Sequence, residues 1–93
     1  MDYRTLAAKL LENDSQRSVA FHQGMAGVLQ NRVDETPVNS PYAHGSAEND
    51  AFFAGRMRGH NEFRNLLTEC NGNRHDAVAR LQNLAATVER SAA

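Results

Sequence analysis

Arg56, His60 and Arg64 recur at i, i+4 and i+8, interleaved with Phe53, Met57 and Leu67. On a helix that spacing sets cations beside apolar side chains along one flank. A face that mixes the two can hold phosphate groups or an acidic partner. The same flank can equally be a solvated surface whose cations pair locally with Glu62 or Glu69. Tyr42 follows Pro41, whose ring holds the chain extended and aims the phenol in a defined direction. Its hydroxyl can reach a helix end or a partner, or the ring can serve as a core plug. The candidate partner-binding residues are therefore Tyr42, Phe53, Arg56, Met57, His60 and Arg64.

No other constellation carries a recognisable reaction. His22, His44, His60, His75 and Cys70 lack the short paired spacing of zinc ligands. Cys70 falls on an apolar stripe, where a thiol is packing material. Neither a nucleophile elbow nor a phosphate-cradling glycine loop is present. Asp34-Glu35 sits in a turn with no apolar enclosure to shift a carboxyl. Gly55 and Gly59 follow no strand, so they are not a dinucleotide fingerprint. No catalysis, cofactor or metal is expected, and a small-molecule enzyme would need a site assembled wholly by tertiary contacts.

These residues must be positioned by a small frame. Ninety-three residues allow one domain, 1–93. Hydrophobic residues at 41% and charged ones at 23% are ordinary for a globular chain. A formal charge of −1 excludes the strongly basic surface of a general nucleic-acid binder. No apolar run is long enough to span a bilayer, and the start, Met1-Asp2-Tyr3-Arg4, lacks the order of a secretory signal. The lone Cys70 cannot form an internal disulfide, so a reducing cytoplasm is the expected compartment. Lys9 is the only lysine, and arginine favours planar, bidentate contacts.

Helical periodicity recurs four times and strand signals are weak, which predicts an all-α domain of three or four helices. The first helix spans Tyr3 to Glu12, and Asn13-Asp14-Ser15 can cap a second that runs to Val33. A Pro/Tyr-containing loop then occupies Asp34 to Asn49, anchored by Val38 and Tyr42. The third helix begins at Ala47 or Asp50 and ends at Glu69, with Phe52, Gly55, Gly59, Phe63, Leu66 and Cys70 on one stripe. Asn71-Gly72 stops it, and Asn73 caps a fourth helix over about 74–90, with Asp76 suited to its first turn. Val78, Leu81, Ala85 and Val88 form an a/d seam there, open to the first helix or to a second copy in a homodimer.

Glycine costs nearly 1 kcal/mol in a helix interior relative to alanine, so glycines on two helices imply a gain. Ala20, Gly24 and Gly27 on helix two and Gly55 and Gly59 on helix three predict close helix packing. The expected core is an αα-hairpin over about 15–69, with the loop folded across its open end.

Gln23-Gly24-Met25-Ala26-Gly27, then Ser40-Pro41-Tyr42, then Phe52-Phe53-Ala54-Gly55-Arg56-Met57-Arg58-Gly59 resembles the ribosome modulation factor family. The likeness covers Phe21 to Gly59, and the fourth helix has no counterpart in it. It implies a hairpin protein that docks on the small ribosomal subunit and silences translation. Together these readings lead to a non-enzymatic regulator that docks on a larger complex through helix three and the Tyr42 loop. The alternative is a ribosome-associated hibernation factor contacting rRNA through Arg56, Arg58 and Arg64.

Overall fold

The computed structural model describes residues 2–11 and 17–92, with residues 88–92 as backbone only. The fold is all-α, with no strand among the described residues: α1 (Tyr3–Leu10), α2 (Val19–Asp34), α3 (Ala47–Glu69) and α4 (Arg74–Ala92). Each helix starts on a short polar side chain that accepts from N–H groups its first turn leaves free. Asp2 accepts from Arg4 and Thr5, Ser18 from Phe21, Ser46 from Asn49, and Asn73 from Asp76. The Ser46 cap is why α3 begins at Ala47 rather than Asp50. The expected Asn13-Asp14-Ser15 cap and the α1 end at Glu12 lie outside the described residues, and the cap of α2 is Ser18.

The ends are equally local. Glu35 closes α2 in the left-handed region at φ 59°, and the Arg74 guanidinium donates to the Arg32 carbonyl in the last turn. That places a cation at the negative end of the helix dipole. After α3, Asn71 and Gly72 both turn left-handed, at φ 55° and 80°, and deliver the chain to Asn73.

Helices α2 and α3 make the most extensive packing in the molecule, but they do not form the antiparallel hairpin expected over 15–69. Phe21 lies against Gly55, Met25 against Gly59, and Arg32 against His60, so both helices run in the same direction. The connection explains it. Residues 35–46 run back along α2: Thr36 accepts from Asn31, Val38 covers Gly27, and the Tyr42 hydroxyl donates to Gln23. The chain thus returns to the start of α2 before α3 begins, instead of closing over an open end.

Glycines make the parallel crossing possible. A methyl on Gly24 would overlap the Phe52 carbonyl, and one on Gly55 would overlap the Phe21 carbonyl. At Gly59 it would meet the Val28 side chain and stand 3.0 Å from the Met25 carbonyl oxygen. Gly27 is the exception, because its open side receives Val38 Cγ1 from the loop and not α3. Ala20 is buried and borders a shallow depression with Ala47 and Ala51 at the N-terminal ends of the two helices.

α1 lies antiparallel to α2, its start tied to the far end by the Tyr3 hydroxyl, which donates to Asp34 Oδ2 at 2.7 Å. α4 returns from α3 and lays Ala77, Leu81 and Ala85 into one core with Leu6, Leu11, Met25, Leu29 and Phe63. Its apolar seam is therefore filled within the chain, Val78 packing at the margin, while the Val88 side chain lies outside those described.

Candidate functional site

Burial of Phe52, Gly55, Gly59 and Phe63 against the rest of the fold fixes the rotation of α3. Phe53, Arg56 and His60, each one position after a buried residue, and Met57 one turn after Phe53, then emerge beside the α2 contact. Phe53 stays 44% exposed and Met57 60% exposed, two large apolar side chains one turn apart. The Arg56 guanidinium lies 5.9 Å from the centroid of the Phe53 ring, within cation–π range. The Phe53 ring also meets Phe52 edge-on at 5.6 Å, so its position is set by the buried stripe.

From α2 come Val28, Asn31 and Arg32, which complete a groove of about 420 Å³ with Phe53, Arg56, Met57 and His60. Arg32 Nη2 lies 2.7 Å from His60 Nδ1. A guanidinium only donates, so Nδ1 is the acceptor and the ring proton of a neutral His60 sits on Nε2. Arg32 Nε is buried without a hydrogen-bond partner among the described residues. The groove is lined by two arginines, Asn31, His60 and apolar side chains, with no acid on its walls.

The nearby carboxylates are engaged elsewhere. Glu62 binds Arg58 at 3.0 Å, and Glu69 binds Arg80 of α4 at 3.0 Å. Neither serves the cations of the flank. Among the described residues, Arg32, Arg56, His60 and Arg64 have no carboxylate partner. Arg64 is exposed one turn beyond His60 and extends the same stripe without lining the groove.

Tyr42 stands apart from these residues. It is half-buried, its ring lies edge-on to Phe52 at 6.4 Å, and its hydroxyl is held by Gln23. It clamps the returning loop to α2 and borders the depression near Val19 and Ala47. So Phe53, Arg56, Met57 and His60 come together, Arg64 continues their line, and Tyr42 acts at another place. Arg32, Val28 and Asn31 were not legible as site residues. With α2 antiparallel to α3 their helix end would lie near the start of α3, and only the parallel arrangement brings Arg32 to His60.

An equally large depression lies between α1 and α2, where Arg4, Arg17 and His22 gather. There the Arg17 guanidinium already sits 4.7 Å over the Phe21 ring, and no large exposed aromatic side chain accompanies it. Among the described residues no group of three His, Cys, Asp or Glu side chains is placed to hold a metal ion, and Cys70 is a free, buried thiol. No helix among them is long and apolar enough to cross a membrane. No family model, curated protein or solved structure matches the chain.

Proposed function

We propose that this chain is a non-enzymatic interaction protein that docks onto a larger complex through the α2/α3 groove. One observation carries the reading. Phe53 and Met57 are held exposed beside Arg32, Arg56 and Arg64, and the neighbouring acids are committed to Arg58 and Arg80. Arg58 takes Glu62 within α3, an i,i+4 pair worth about 0.3–0.5 kcal/mol, and Arg80 of α4 takes Glu69, so neither acid serves Arg56 or Arg64. Here the flank keeps both its charge and its apolar surface for something else. Aromatic, Met and Arg side chains in a shallow groove are also the composition of interface cores.

Affinity capture from a lysate with wild type, Met57→Glu and an Arg56→Glu/Arg64→Glu double variant tests it. Capture by wild type that both variants lose supports docking at this face. Identical capture by all three removes the groove from consideration. Recovery of RNA, with affinity collapsing steeply as salt rises, would replace the protein partner by the rRNA alternative.

A further inference from the structure

The chemistry of the groove goes further and specifies the occupant. Resting on the docking reading above, we infer that the groove takes an acidic amphipathic helix of a partner protein. The partner's carboxylates would meet Arg56, His60 and Arg64, while an aliphatic side chain enters between Phe53 and Met57.

Three features lead there. The first is charge: cations line the groove with no acid among them, and Arg64 adds another along the same line. The second is the uncompensated state of Arg32. Its Nη2 faces the His60 ring nitrogen and no acid lines the groove beside it, so its charge adds to that of Arg56. The third is shape. Positions 53 to 64 on α3 extend about 16 Å at 1.5 Å per residue, the length of about three helical turns. A partner helix laid along that stripe presents side chains at i, i+3, i+4 and i+7, which is how helices occupy grooves.

The same features speak against a nucleic-acid strand. Phe53 carries the Arg56 guanidinium over its ring and Phe52 at its edge, which hinders the stacking a base would need. Arg58, which the rRNA alternative requires, binds Glu62.

The test uses the full chain, isotope-labelled and titrated with three probes. These are a synthetic Glu/Leu amphipathic peptide of about fifteen residues, long enough for an isolated helix to begin to hold, its Lys-for-Glu counterpart, and a uridine oligonucleotide. The expected result is saturable binding of the Glu/Leu peptide, with the largest amide shifts at Phe53, Arg56, Met57 and His60. Met57→Glu and Arg56→Glu should each weaken it at least about tenfold, equivalent to about 1.4 kcal/mol. Both side chains are exposed, so the variants should keep the wild-type fold, and the amide spectrum checks that directly. No binding of the Glu/Leu peptide, equal binding of the Lys peptide, or shifts centred elsewhere overturns the inference. So does saturable binding of the oligonucleotide at these same residues. Self-association in sedimentation that Met57→Glu abolishes would make the occupant a second copy and equally overturn it. If lysate capture depends on the groove while the Glu/Leu peptide fails, the inference falls and the docking reading stands.

Discussion

Gly24 and Gly55 each face a backbone carbonyl, and a carbonyl in a helix cannot rotate away as a side chain can. Alanine at either position gains about 1 kcal/mol of helix propensity but must separate α2 from α3. Overpacking of this kind costs about 1–3 kcal/mol, occasionally more. We expect Gly24→Ala and Gly55→Ala each to lower stability by about 2 kcal/mol in denaturant titration, with the propensity gain already subtracted. Gly27→Ala should cost less than either, because Val38 is a loop side chain that can shift. Equal losses at all three positions would contradict the contact of Gly24 and Gly55 with backbone carbonyls.

A second single-residue test lies in Tyr3. Burial, then the hydrogen bond to Asp34, then the Asp34 charge push its phenol up from 10.0 to about 12. The folded state therefore holds the phenolic proton where the unfolded chain releases it. The stabilisation is fully present below pH 10 and is lost as pH rises from 10 towards about 12. Thermal melts across that window should show wild type losing stability with a steeper slope than Tyr3→Phe. Parallel slopes would show that the contact with Asp34 does not persist in solution.

Among the elements, the direction of α3 was the feature least open to reading from the sequence. Periodicity gives each helix its buried face but is silent on which way a neighbour runs. The glycines at 24, 55 and 59 announce a close approach in either direction. One signal was available in the loop. Helix–helix hairpins close in about 2–8 residues, whereas residues 35–46 are held along α2 by Val38 and Tyr42. An extended stretch of that length reaches about 40 Å at 3.3 Å per residue, ample to retrace the roughly 24 Å of a sixteen-residue helix. Anchoring apolar residues within a long connection thus argue for a return path. Tyr42→Phe, which keeps the ring against Phe52 and loses the hydroxyl bond to Gln23, should cost about 1 kcal/mol in denaturant titration. Tyr42→Ala should add faster amide exchange across the loop while leaving α1 and α4 protected. Uniformly faster exchange in every helix would place Tyr42 in the global core instead of the clamp.

At the scale of the whole molecule, the stabilising core and the candidate site occupy different surfaces of the same pair of helices. α1 and α4 cover one side of α2 and α3 with Leu6, Leu11, Leu81 and Ala85, and the groove opens where neither reaches. α4 was legible down to its Asn73 cap and Leu81 seam, and so were the cations of α3. The groove was not, since it exists only once two parallel helices are laid together. This separation makes stability and docking independently removable. Leu81, 1% exposed, should lose about 2–5 kcal/mol as Leu81→Ala, out of a total of order 5–14 kcal/mol for a chain this size. Binding of the acidic peptide per folded molecule should be unchanged. Met57→Ala should do the reverse, keeping the melting curve within about 0.5 kcal/mol of wild type because its side chain is exposed, while weakening the peptide several-fold. If Leu81→Ala alters affinity per folded molecule as much as Met57→Ala does, the groove is not a preformed surface, and the rigid parallel pair cannot be what presents it.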